Sequence, residues 1–377
     1  SVARGYMAGL SNSVKGVFAA GDTGSTSNVI DEFNITTGGT FTDFGNAQAA
    51  KGGVMGNTAA HGGLSDGYQG TRIAPIPQGA GAGQRGLFAG GNNGSRRSTI
   101  EFITIASAGN GNDFGDLTGA TDFGQPTASK TRMVVGNGNV ASPRSAGNLD
   151  YIEFASKGNA ASFGDLSTAR NGGGHGFGND TRGVYGAGYI SPASVNTIDY
   201  ITFTSIGNAT DFGDLTVARS DGEGFSSSTR GVAGGGKINP DNSRTNVMDY
   251  VTIASTGNAT DFGNLLAARN RQAGIGSTTR GVFGGGYAPS VDNVIQYVTI
   301  ASTGDAQDFG DLSQARALLS GTSNSLKGIF AGGIAPSRVK TIDFITIAST
   351  GNAADYGDLL ETTHSPHAGS NGHGGLS

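Results

Sequence analysis

Three groups of residues in this chain have the types that do chemistry. The tripeptide Asp-Phe-Gly begins at Asp43, Asp113, Asp211, Asp261 and Asp308, with Ser162-Phe163-Gly164 and Asp355-Tyr356-Gly357 as variants. One such Asp can hold a nucleotide-bound metal when a lysine strand and a catalytic loop accompany it. Neither accompanies any copy here, so the motif reads as packing and turn, with the Asp side chain capping the turn. The oxygens of Asn258, Asp261 and Asn264 are hard ligands, but they lack the dense carboxylate loop that calcium takes. His364 and His367 are three residues apart, and Pro366 precludes the helix that would aim both imidazoles at one zinc ion. Glycine runs such as Gly186-Ala187-Gly188 lack the Lys-Ser/Thr and the following helix of a phosphate loop. No catalytic residue, metal site or cofactor is expected.

The third group is charged. Acidic–aromatic pairs recur at Glu32-Phe33, Glu101-Phe102, Asp150-Tyr151, Asp199-Tyr200, Asp249-Tyr250 and Asp343-Phe344, with Gln296-Tyr297 the exception. They alternate with Lys15, Arg85, Arg132, Arg182, Arg230, Arg280 and Lys327. Such alternation predicts ion pairs between strands or repeats, with a ligand-binding ring of charges as the other reading.

Those residues recur because the chain itself repeats. Steps between successive Phe-Gly or Tyr-Gly motifs are 70, 49, 49, 50, 47 and 47 residues, seven copies in all. An aromatic lies 12 residues before the Asp-Phe-Gly aromatic in six copies (Phe102, Tyr151, Tyr200, Tyr250, Tyr297, Phe344) and 11 before it in the first, at Phe33. Each unit reads as four short strands. A small-residue strand lies around Ala315 to Ser320; a second, Gly281-Val282-Phe283, runs into paired glycines; a third is rich in β-branched and aromatic residues, as in Val294 to Ala301; a short fourth spans Phe309 to Leu312. Apolar residues on both faces of the third strand (Ile198 and Tyr200; Ile201 and Phe203) mark a sheet covered on both sides. Repeats of this length with four strands predict a β-propeller, and seven copies predict seven blades.

Composition agrees and excludes alternatives. The 377 residues include 68 Gly, no Cys and no Trp. That is more than twice the usual glycine content of about 7%. There is no collagen period, no disulfide, no thiolate chemistry, and no apolar run near the roughly 20 residues a membrane helix needs. A net charge of −5, from 24 Lys+Arg and 29 Asp+Glu without a basic block, argues against nucleic acid as partner. Ser1 is followed by no charged-then-apolar leader, so no signal peptide is expected within the given chain.

The paired glycines (Ala20-Gly21, Gly90-Gly91, Ala187-Gly188, Gly235-Gly236, Gly285-Gly286, Gly332-Gly333, with Asn137-Gly138 departing) and the acidic–aromatic third strand resemble the kelch repeat of β-propellers. The kelch Trp is replaced by Phe44, Phe114, Phe163, Phe212, Phe262, Phe309 and Tyr356. The fold so implied is all-β, a seven-bladed propeller of four-stranded blades with kelch-like repeats of about 48 residues. One domain spans 1–377, its ring closed by a terminal strand. The copper-oxidase chemistry of galactose-oxidase-like kelch propellers needs a Tyr cross-linked to Cys, which this chain lacks. The run Thr-Arg-Gly-Val-Phe-Gly-Gly-Gly, with Ile-Asp-Tyr-Ile-Thr-Ile and Gly-Asn-Ala-Thr-Asp-Phe-Gly-Asp-Leu, is similar to repeats in tail-fibre and other virion proteins of tailed phages, especially marine ones. That resemblance implies a non-enzymatic adhesin or decoration protein of a virion. Its partners would be host-surface glycans or neighbouring virion proteins, without membrane insertion, and a homo-oligomer is compatible with it. A cellular kelch-type interaction module and a polysaccharide hydrolase or lyase are the alternatives.

Two irregularities refine the expectation. Residues 59–83 form an insertion within the longest step, read as a loop for binding or assembly, or as a tolerated surface excursion. Residues 361–377 are an extra first-strand segment or the start of a further repeat, and His373-Gly-Gly-Leu-Ser377 repeats His61-Gly-Gly-Leu-Ser65. For sugar hydroxyls and stacking, the candidate ligand residues are Tyr68, Gln69, Arg72, Tyr189 and Tyr287.

Overall fold

The computed structural model describes residues 8–11, 15–19, 25, 27–34, 42–51, 85–136, 138–140 and 147–376. They fall into two compact units, Ser1–Ala80 and Gly81–Ser377. Among the described residues no helix is long and apolar enough to cross a membrane.

The first unit is one antiparallel sheet in the order β1 (Ala8–Ser11), β2 (Lys15–Ala19), β3 (Ser27–Asn34), β4 (Thr42–Lys51). The second is a ring of six sheets resembling a β-propeller. Blade one holds β5 (Arg85–Ala89), β6 (Arg97–Thr104) and β7 (Asn112–Asp122), and its innermost strand is His367–Ser370 from the C-terminal end. Blades two to six begin with the inner strands Gln125–Ala128, His175–Gly178, Glu223–Ser226, Ala273–Gly276 and Ser320–Ser323. These six inner strands pack side by side in a closed cycle about the axis. Glycine is required there because neighbouring strands nearly touch: a Cβ on Gly274 would lie 2.6 Å from the Gly224 carbonyl oxygen.

One junction, repeated six times, joins each blade to the next. The first and third residues of one blade's Gly-Asn-Ala turn (Gly304-Asp-Ala306 in blade five, Gly109-Asn-Gly111 in blade one) donate N–H to the preceding blade's outer strand. Examples are Gly257 N–H to Phe212 O at 2.7 Å and Ala259 N–H to Asp214 O at 2.8 Å. The side chain of the central Asn accepts in return, Asp214 N–H to Asn258 Oδ1 at 3.1 Å. The turn-capping oxygen is therefore that of the Asn in the next blade, not that of the Asp before Phe, which sits exposed at the start of its strand. The glycine of Asp-Phe-Gly is fixed by the same junction: Gly213 has φ 144°, and a Cβ on it would lie 2.5 Å from Gly257 O.

The expected ring closure by a terminal strand is found, but the ring has six blades, not seven. His367–Ser370 pairs with β5, from His367 opposite Ala89 to Ser370 opposite Gly86. The last junction is the ordinary one, Gly109 N–H to Tyr356 O at 3.1 Å and Gly111 N–H to Asp358 O at 2.7 Å. Nothing is left open for a seventh blade. The first repeat already has its own inner strand, since β1 pairs with β2 from Ala8 opposite Ala19 to Ser11 opposite Gly16. Its four strands match those of blade six at one constant offset: Ala8 to Ser320, Lys15 to Lys327, Ser27 to Val339 and Thr42 to Ala354. The irregularities in register coincide too. That alignment corrects one sequence reading, because Val17 faces Glu32 where Ile329 faces Phe344. The first repeat thus carries Asp31 and Glu32 at the two positions of the acidic–aromatic pair, with no aromatic there, and Phe33 lies one residue beyond.

Third and fourth strands explain the rigid spacing of aromatics. Tyr200 meets Phe212, Tyr250 meets Phe262 and Tyr297 meets Phe309 edge-to-face, with centroids 5.9, 6.0 and 5.9 Å apart.

Candidate functional site

The repeated charges are consumed by the scaffold, in a pairing the sequence does not reveal. The Arg of Ala-Arg is fully buried in four blades, at Arg170, Arg219, Arg269 and Arg316. Arg170 pairs with Asp199 at 2.8 Å, Arg219 with Asp249 at 2.9 Å and Arg316 with Asp343 at 3.0 Å, both side chains wholly excluded from solvent in each case. These carboxylates were expected to meet the other series of cations. Instead Arg182, Arg230 and Arg280 stack on Tyr200, Tyr250 and Tyr297 at 4.6, 4.2 and 4.3 Å. The same guanidinium groups donate to Ile253, Ile300 and Ile347 carbonyls of the next blade at 3.1, 2.9 and 2.9 Å.

Exceptions to the pattern follow from the same chemistry. Gln296 replaces the Asp in blade five and keeps its acceptor role, taking Leu266 N–H at 2.8 Å, but it cannot neutralise Arg269. Arg269 turns to Asp292 at 3.3 Å and to Gly285 O at 3.0 Å. Glu101 in blade one has Thr363 where blades three to six carry the Arg. Burial pushes its carboxyl up to about 7, against the hydrogen bond from Leu360 N–H and with help from Glu361 and Asp113.

The two ends of the axis differ. At the exit of the inner strands, the 3-10 turn Gly374–Leu376 is buried against the strand ends, and a Cβ on Gly374 would lie 2.8 Å from Ser226 O. His373 pins that turn: its Nε2 bonds Ala128 O at 2.8 Å, and its Nδ1 accepts Gly375 N–H at 3.1 Å. Behind the turn a cavity of about 60 Å³ is lined by all six inner strands. The segment predicted as an extra first strand or further repeat thus closes blade one and then caps the axis.

The opposite end carries the hairpins that join second and third strands. Two residues before five of the inner strands, Phe123, Asp221, Arg271, Leu318 and Ser365 adopt φ of 57°, 54°, 60°, 60° and 52°. The last four of these left-handed, non-glycine residues are held by a belt of hydrogen bonds about the axis. Ser365 N–H donates to Leu318 O at 2.7 Å, Leu318 N–H to Arg271 O at 2.9 Å, and Arg271 N–H to Asp221 O at 2.8 Å; Asp221 N–H meets Gly173 O. Their side chains line the mouth. Arg271 pairs with Asp221 at 3.1 Å and lies 5.7 Å from the Phe123 ring centroid. His364 stands edge-on to Phe123 at 6.0 Å, and burial, with Arg338 and Arg271, lowers its pKa against Asp122.

Tyr189 and Tyr287 lie on this face at equivalent positions, each directly after its glycine pair, bridging Asn171 and Asn270 of the adjoining linkers. They belong to blades three and five, with Lys237 between them in blade four, so they do not share one pocket. Arg244 lies 5.9 Å over the Tyr287 ring and donates to Asn270 Oδ1 at 3.0 Å. Tyr68, Gln69 and Arg72, and the insertion 59–83, lie outside the described residues, as does His61-Gly-Gly-Leu-Ser65. His364 and His367 do not converge: His367 Nδ1 accepts Gly124 N–H at 3.1 Å, while His364 Nδ1 contacts Ser365 Oγ at 3.1 Å. Asn258, a supposed calcium ligand, is engaged by Asp214 N–H.

Sequence reasoning missed the residues of the mouth. They differ in every repeat, and their one signal is position, two residues before an inner strand. No known family model matches the chain, and no curated protein matches it.

Proposed function

We propose that this chain is a non-enzymatic binding module of a tailed-phage particle, a tail-fibre or decoration protein that engages host-surface glycan or a neighbouring virion protein through its hairpin face. The observation that carries the binding part is variation at one fixed place. The residue after the glycine pair is Asn92, Asn139, Tyr189, Lys237, Tyr287 and Ile334 in successive blades, while the junction and stacking residues around it stay nearly constant. A scaffold position would hold one chemistry; this one spans amide, aromatic, cationic and aliphatic groups on the end of the axis that the C-terminal turn does not cap. Aromatic faces with neighbouring amides and guanidinium groups suit sugar stacking and hydroxyl recognition. The virion part rests on the likeness of the repeat wording to phage tail proteins, and the fold alone does not choose among functions.

The test is retention of the purified chain on host-envelope polysaccharide, compared with the double variant Tyr189→Ala, Tyr287→Ala. The proposal expects retention by the parent, loss in the variant, and unchanged polysaccharide length. Shortened polysaccharide would establish a hydrolase or lyase. Capture of a cellular protein without glycan retention would establish the interaction module instead.

A further inference from the structure

The open end of the axis has a small cavity beneath the belt of left-handed residues, about 40 Å³ in volume. A single water needs roughly 10–15 Å³ by this measure, so the cavity accommodates an ion or a few waters but no sugar. Its polar lining comprises Asp221 and Glu223 of blade four, Arg271 and Gln272 just before the inner strand of blade five, Ser320 on that of blade six and Ser365 before that of blade one.

With the Arg271 guanidinium taken up by Asp221, acceptors dominate the rest of this lining. Gln272 is 1% exposed; its Nε2 donates to Gly234 O at 3.1 Å, and its Oε1 has no partner. A buried acceptor left unmet destabilises the fold, and a bound cation relieves that cost. The Ser320 hydroxyl donates to Pro366 O, which turns its own lone pairs to accept. The surrounding charges cancel, apart from one. Arg271 is matched by Asp221, and Arg219 by Asp249. His175 is neutral: its Nδ1–H bonds the Glu223 backbone carbonyl at 2.8 Å and its Nε2 accepts Arg219 Nε–H at 3.1 Å. Glu223 has only the Gly224 N–H to offset its burial.

We propose that this cavity is a site for one small monovalent cation, of the size of sodium, potassium or ammonium, held by the Glu223 carboxylate and the Gln272 carbonyl oxygen. A lone carboxylate with neutral oxygens matches a single positive charge, whereas calcium takes 6–8 oxygens with several carboxylates among them. The ion ties blades four, five and six together at the axis and stiffens the floor of the hairpin face. Burial pushes the Glu223 carboxyl up to about 8, so protons and cations compete for it. The charged and titratable groups facing it are Asp221 and Arg271 from the two linkers, His175 from blade three and buried Arg219.

The experiment is thermal unfolding of the full chain at pH 6 and pH 9 in sodium, potassium, ammonium and choline chloride at equal ionic strength. The site predicts a Tm higher by several degrees in at least one small cation than in choline, a gap that widens at pH 9 and disappears in Glu223→Gln. Sodium-23 line broadening by the parent chain, relieved by potassium, reads the same site without a variant. Equal Tm in choline and all three small cations at pH 9, with no sodium broadening, would overturn the proposal. So would a cation effect that survives Glu223→Gln. Glu223 would then stand as a neutral acid bonded within the cavity.

Discussion

The ion pair between Arg316 and Asp343 offers a test in which the protein supplies its own control. Both side chains are fully buried and 3.0 Å apart, and Asp343 also accepts Ser313 N–H at 3.1 Å. Asp343→Gln installs the residue that blade five uses at the same position, keeping an acceptor for Ser313 but leaving Arg316 without a counter-charge. Removing one partner of a buried pair costs about 3–5 kcal/mol, because the remaining charge is stranded away from water. Blade five escapes that cost through Asp292, whose equivalent in blade six is Val339: Asp292 N–H and Val339 N–H bond Gly286 O and Gly333 O in the same way. Val339→Asp in the Asp343→Gln background should therefore recover more than half of the loss. Urea unfolding followed by far-UV circular dichroism, read as a double-mutant cycle, gives the coupling. A single variant within about 1 kcal/mol of the parent, or a double variant no better than the single, would refute the assignment of these charges as mutually dependent.

Three further predictions concern a buried acid, two glycines and the insertion. Glu101 has a folded pKa raised from 4.5 to about 7, so the folded state holds its proton longer. Its stabilising share is complete below about pH 4.5 and falls by up to about 3 kcal/mol as pH rises through 7, and Glu101→Gln should flatten that slope in urea midpoints measured from pH 4 to 8. Gly213→Ala should destabilise by about 1–3 kcal/mol through its φ and the Gly257 carbonyl. Gly207→Ala, with nothing within 4 Å of the new methyl, should leave the thermal midpoint where it is. Deleting residues 59–83 should leave soluble protein with an unchanged far-UV spectrum, and insoluble material would show that the segment belongs to a blade.

Much of the architecture is legible in the sequence because a repeat encodes its contacts locally. The four-strand unit, the two-faced third strand, the fixed aromatic spacing and closure by a terminal strand all follow from residue types at constant separations. Partners between blades are less legible: Asp199 could meet Arg182 or Arg170 on sequence alone, and only the fold brings Arg170 into the wedge where both can be buried.

Blade number was not legible either. Seven copies in the chain count repeats, whereas a ring counts the wedges that fill a full turn, and His367–Ser370 completes the turn on β5 after six. The first repeat, supplied with its own inner strand, is complete without that strand. The mouth of the axis was hidden for the opposite reason. Phe123, Asp221, Arg271, Leu318 and Ser365 share no side-chain chemistry, and what they share is a left-handed backbone, bonded in the last four to a neighbouring blade's carbonyl. The sequence by itself determined the repeating sheet, because alternation, turn glycines and aromatic spacing act within some fifty residues. The tertiary structure alone decided the ring size, the charge pairing and the axial cavity, because each depends on surfaces that meet only when the ring closes.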